Sequence, residues 1–186
     1  KRDFATATNA LDRVDAEGKK TAAYHNMAGA VVSSINLLPE AEAHFLEASR
    51  LEPTNIVTKL NLASVRLRGT NAPILSDARA TLVQFASNPT NTVLKCQAMR
   101  ELIVDAMRFQ QTNTALRLSK DLLQQTNSIF RDRMMRLDVL RETRNAELKP
   151  TLLSFQREAT SGVTNLVKVY DLAMLQAAAM GPAEAL

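Results

Sequence analysis

An all-α chain of repeated helix pairs is what this sequence predicts, on three observations. Strand signals are nearly absent, while Ala, Leu, Arg and Gln favour helix. Glycine (5) and proline (6) are scarce among the 186 residues, and the prolines sit mostly at the ends of apolar-periodic stretches. A closing tripeptide also returns: Pro53-Thr54-Asn55 recurs as Pro89-Thr90-Asn91 and then as Gln125-Thr126-Asn127, each 36 residues after the last. A fixed period of that length marks stacked units, each of which buries its apolar face on its neighbours.

Taken in order, the first expected helix spans 3–15, and Phe4 to Val14 read as the second member of a pair without its first. Helices over 21–36 and 39–51 form the first full unit, where Glu40 follows Pro39 and its charge offsets the helix dipole. Helices over 55–68 and 74–87 form the second, with Leu60-Asn61-Leu62-Ala63 on its first helix and Ala78, Leu82 and Phe85 on its second. An inserted turn from Arg68 to Pro73 absorbs two extra residues. The third unit pairs 91–109 with 113–125 and keeps Ala98, Ala115, Ser119 and Leu122. The fourth pairs 127–143 with 150–160, where Pro150 opens the second helix and Leu152 and Ala159 follow. A last helix spans 163–180, and Gly181 to Leu186 read as the turn into a helix that does not follow. The expected division is a half-unit 1–20, units 21–55, 56–91, 92–127 and 128–162, and a half-unit 163–186. The linkers are too short for separate domains, so one elongated domain over 1–186 is expected, cut from a longer array. Severed ends of such an array expose apolar surface and favour self-association.

Within the first unit, Gly29, Ala41, Phe45, Ala48 and Pro53 fall at offsets 12, 4, 3 and 5. That spacing resembles the tetratricopeptide repeat, in which a small residue on the first helix lets the second approach, two alanines and an aromatic fill the crossing, and proline ends the unit. A HEAT-type paired-helix solenoid would fit the degenerate third and fourth units but not these five residues together. The resemblance implies a right-handed α-solenoid and a concave groove lined by the first helices. Its groove positions map onto Asn26, Ala30 and Ser33, onto Leu60, Ser64, Leu67 and Arg68, and onto Cys96, Arg100 and Ile103. It further implies a non-enzymatic scaffold that binds a peptide or partner protein there. The family's carboxylate-clamping members hold their peptides with paired Lys, Arg and Asn, and this chain departs from them: Ala30 and Ser64 stand where a clamp wants an amide.

Chemistry in the residues is sparse. His25 and His44 are the only histidines, 19 apart, so no helical i, i+4 metal pair exists and zinc is excluded on spacing. Cys96, the single cysteine, reads as a buried thiol, having no base placed beside it. Glu40, Glu42 and Glu47 occupy the surface positions of an amphipathic helix rather than a converging pair. No phosphate loop, nucleophile elbow or His-Glu-x-x-His motif occurs, and no enzyme activity or cofactor is expected. Two alternatives to the scaffold stay open: a purely structural, self-associating array, and a targeting or regulatory segment of a larger envelope-associated or enzymatic protein.

Charge suggests more. With the units aligned on the closing tripeptide, His25, Lys59, Lys95 and Arg131, spaced 34, 36 and 36 residues apart, share one position on four successive first helices. They read either as a ladder steering an acidic partner or as long stems laid over the helices with their heads in water. Arg131, Arg133, Arg136, Arg141 and Arg144 crowd the stretch after Asn127, but Asp132, Asp138 and Glu142 interleave and aromatics are few, so a solvated or ion-paired face is expected rather than nucleic-acid binding. Met134-Met135 and the stretch Leu172 to Met180 read as solenoid packing, or else as a stripe for a partner. No run of eighteen apolar residues predicts a membrane span, and the net charge of +4 is mild. A reducing compartment or the periplasm would each suit a chain with one cysteine.

Overall fold

The asparagine closing each of the first two tripeptides starts the next helix. In the computed structural model, which describes residues 4–160 and 166–180, the Asn55 side-chain oxygen accepts from the backbone N–H of Val57 (3.0 Å) and Thr58 (3.1 Å). Asn91 accepts from Leu94 N–H (3.1 Å), and Thr21, 34 residues before Asn55, accepts from Tyr24 N–H (3.2 Å). Each side chain satisfies donors that a helix leaves unpaired in its first turn.

Ten α-helices result among the described residues, with no strand: α1 (Phe4–Asp12), α2 (Ala22–Ser34), α3 (Leu38–Leu51), α4 (Ile56–Leu67), α5 (Ala72–Ser87), α6 (Thr92–Arg108), α7 (Thr112–Leu123), α8 (Phe130–Glu142), α9 (Leu148–Thr160) and α10 (Leu166–Met180). A single 3-10 turn, Gly18–Lys20, lies before α2 where a plain linker was expected. Residues 163–165 and Gly181 to Leu186, assigned to the closing half-unit, lie outside the described residues.

Three of the turns within helix pairs close alike. Asn36, Gln110 and Arg144 stand just past α2, α6 and α8 with φ of 66°, 56° and 51°. The next residue then donates back to the helix: Leu37 to Val32 O (3.0 Å), Gln111 to Ala106 O (2.7 Å) and Asn145 to Leu140 O (2.8 Å). This left-handed closure pairs terminal carbonyls and reverses the chain. The α4–α5 turn differs, because Asn71 caps α5 through Ile74 N–H (3.3 Å). Pro73 consequently lies inside the first turn of α5 rather than in the linker, a place where its missing N–H costs nothing. Similarly, Pro150 is the third residue of α9, not its opening one.

The third tripeptide starts no helix. α8 begins at Phe130, three residues past Asn127, because the Asp132 carboxylate accepts from Ile129 N–H (2.9 Å) while Asp132 N–H donates to Ile129 O (2.8 Å). Asp132, 1% exposed, therefore belongs to a helix start and not to a charged surface.

The chain divides within α6 into two compact units, Lys1–Glu101 and Leu102–Leu186. In the first, α1 packs on α2, α2 on α3, α3 on α4 and α4 on α5, and the alternate helices α2 and α4 also touch. Its core holds Ala41, Phe45 and Val65, with Val32, Leu38 and Leu62 packed around them. Gly29 is buried under Phe45, and Ala48 is fully buried further along α3. The second unit repeats the scheme: α7 packs on α8, α8 on α9 and α9 on α10, and α8 also reaches α10. Leu137, Phe155, Leu175 and Ala179 form its core. On α9 Phe155 is the buried residue, while the expected Leu152 and Ala159 are half-buried. No helix of the described residues is long and apolar enough to cross a membrane.

Candidate binding cleft

In the first unit, the side chains assigned to the groove mostly fasten one first helix to the next. Thr58 of α4 donates its hydroxyl to Asn26 Oδ1 of α2 (2.9 Å). Arg68 reaches Ser33 Oγ (3.5 Å) behind it and the Glu101 carboxylate (3.2 Å) ahead, and Gln97 of α6 donates to Asn61 of α4 (3.4 Å). Leu60, Leu67 and Cys96 are buried, which assigns them to helix packing and leaves them no surface for a ligand. Ser64 is buried as well, with its Oγ unpaired among the described residues. Ala30 stays exposed and Arg100 half-buried.

The residues of the basic register stand in different surroundings. Lys59 is exposed but lines a hollow of about 290 Å³ between α4 and α5, with Arg66, Asp77, Thr81 and Gln84. Lys95 is half-buried. His25 turns onto α3, where its Nδ1 lies 3.0 Å from Nδ1 of His44, and Tyr24 meets both rings edge-on. The fold thus joins two histidines that sequence spacing had kept apart. Burial, then the neighbouring His25, hold the His44 pKa below its ordinary value, while Glu40 acts in the other direction. No group of three or more His, Cys, Asp or Glu among the described residues is arranged to hold a metal ion.

The arginines of α8 are not one face. Arg136, only 4% exposed, donates to Leu116 O (2.7 Å) and Ser119 Oγ (3.0 Å) on α7 and to Glu147 Oε2 (2.7 Å) in the turn before α9. Nothing in its sequence neighbourhood separates it from the exposed Arg131; burial beside Leu137, Val139 and Leu140 is what gives it internal partners, as a buried polar residue requires. Arg133 pairs with Glu158 (2.6 Å) and lies over the Phe155 ring. Arg141 pairs with Asp138 (2.9 Å) and Glu142 (2.9 Å) and donates to the Ala178 carbonyl.

Arg131 is the exception. It is exposed and forms no bond with a described residue. It stands at the edge of a cleft of about 340 Å³ between the last turns of α6 and the length of α8, lined by Ile103, Val104, Met107, Met134, Met135 and Val139, with Asp138 and Glu142 toward the other end of α8. On α8 the residues 131, 134, 135, 138 and 142 recur at helical spacing, so one face of the helix forms the wall. Val104 is 55% exposed, which leaves the apolar floor open to solvent. Of the groove residues expected from sequence, the cleft unites Ile103, by its edge, and Arg131; Met134 and Met135, read chiefly as packing, prove to be wall residues. Burial pushes the Asp138 carboxyl above its ordinary value, and Arg141 opposes that shift. Comparison with family models, with curated proteins and with solved structures finds no match for this chain.

Proposed function

We propose that the chain is a tetratricopeptide-like interaction module that binds a peptide segment of a partner protein in the α6–α8 cleft. One observation carries this reading: an apolar, methionine-lined hollow of about 340 Å³ that stays open to water, with charged groups on its rim. Open apolar clefts of a few hundred Å³ flanked by a few polar groups are the usual form of a binding site. Methionine suits such walls because its flexible thioether adapts to irregular side chains. The burial of Gly29 against Phe45 supports the tetratricopeptide reading over a HEAT-type one, because in this chain the smallest residue sits where the largest needs space.

The role is non-enzymatic. Arg66–Glu42, Arg68–Glu101, Arg133–Glu158 and Arg136–Glu147 hold helices or their turns together, an architectural use of charge. The test is selection of peptides from a random displayed library against the whole chain. Met135→Lys should weaken the selected peptides at least tenfold, and Val83→Lys, at an exposed position of α5, should leave them unchanged. Equal binding by both variants would refute the cleft, and recovery of the chain's own sequence alone would favour a self-associating array.

A further inference from the structure

The charges around the cleft define the chemistry of its occupant, an inference that rests on the cleft being the binding site. Arg131 at one end carries a positive charge that no described residue neutralises. At the other end, Asp138 and Glu142 share the single guanidinium of Arg141, so one negative charge remains. A carboxylate has acceptor positions beyond those one arginine fills, and the exposed sides of Asp138 (50%) and Glu142 (59%) keep theirs available. The methionines and Val104 lie between the two ends.

We propose that the occupant is a peptide of mixed charge: an apolar core with an acidic residue that meets Arg131 and a basic residue that meets Asp138 and Glu142. From Arg131 to Asp138 is seven residues of helix, about 10 Å at 1.5 Å per residue. A peptide in the polyproline II conformation rises about 3.1 Å per residue with three residues per turn, so an acid and a base three apart share a face and cover about that distance, with two apolar side chains between them. The apolar pair supplies contact area. Discrimination comes from the ends, because a wrong charge meets like charge at one of them. A uniformly acidic partner, the one a basic ladder would steer, is thereby disfavoured.

Three fluorescent peptides with blocked termini decide the matter. Each holds two leucines, flanked by Asp and Lys, by two Asp, or by two Lys, and each is titrated by anisotropy into the full chain at low salt. The mixed peptide should bind about fivefold or more tighter than either uniform one, and the margin should shrink as salt screens the ends. Arg131→Glu makes both ends acidic, and the two-Lys peptide should then bind best. Equal binding of all three, or an unchanged order in Arg131→Glu, would overturn the mixed-charge assignment while leaving the cleft standing. Failure of every peptide to bind the unaltered chain would overturn both.

Discussion

Gly29→Ala is the substitution that tests the helix crossing most sharply, since two opposing effects are both calculable. Within a helix interior, exchanging glycine for alanine gains roughly 1 kcal/mol of helix propensity. Here the added methyl carbon would lie 2.8, 2.9 and 3.0 Å from Cε1, Cζ and Cδ1 of the Phe45 ring. Carbon atoms settle at about 3.5–4.0 Å, and Phe45 is 2% exposed, enclosed by Ala41 and Val65, so the ring has little room to retreat. Overpacking of this kind costs about 1–3 kcal/mol, which leaves a net loss centred near ~1 kcal/mol after the propensity gain. In a chain of this size that lowers the melting temperature by about 2–4 °C. Phe45→Leu removes the obstructing ring edge, and in that background the same Gly29→Ala change should stabilise by up to ~1 kcal/mol. Urea denaturation of the four-member cycle measures the coupling, whose sign reversal is the diagnostic. A higher melting temperature for Gly29→Ala alone, or simple additivity with Phe45→Leu, would refute the interlocked crossing.

Two further outcomes follow from polar groups. Arg136→Ala removes three bonds, withdrawing a donor from the Leu116 and Ser119 oxygens while the exposed Glu147 returns to water, and should cost about 1–3 kcal/mol in urea denaturation, whereas Arg136→Met keeps the apolar volume and should cost less; an alanine variant within ~0.5 kcal/mol of the parent would mean that the guanidinium lies in water. The lowered pKa of His44 makes the unfolded chain bind its proton more readily, so its contribution is intact above the ordinary value of 6.5 and is lost as pH falls through the lower folded value. Tyr24, His25 and Glu40 face this ring or act on it, and Glu47 carries the nearby charge acting with His25. Stability should therefore drop on acidification below pH 6.5, and His44→Gln should flatten that part of the profile; an unchanged profile would mean that His44 binds its proton alike in the folded and unfolded chain.

Much of the architecture was legible in the chain because its signals are local. Asn55 and Asn91 announce helix starts from two or three residues away, and Gly29, Ala41, Phe45 and Ala48 lie within a single helix pair whose turn is short. Periodicity over such distances is set by helix geometry itself, and the expected α-helices emerge with ends displaced by only a few residues. The displaced start of α8 is likewise local, and Asp132 three residues into the helix announced it.

The candidate site was less legible, because it depends on how helices rotate about their own axes when they meet. Arg131 and Arg136 lie on one helix in one charged stretch, yet the first borders an open cleft and the second is buried against Ser119. Likewise His25 and His44 meet, and Val104 and Met135 come to line one cleft, only once α2 has been phased on α3 and α6 on α8. The sequence alone determined where helices begin, end and carry apolar stripes, through propensity, capping and period. Which charges are spent on internal bonds and which remain for a partner depends on contacts between residues far apart in the chain, and so on how the helices pack.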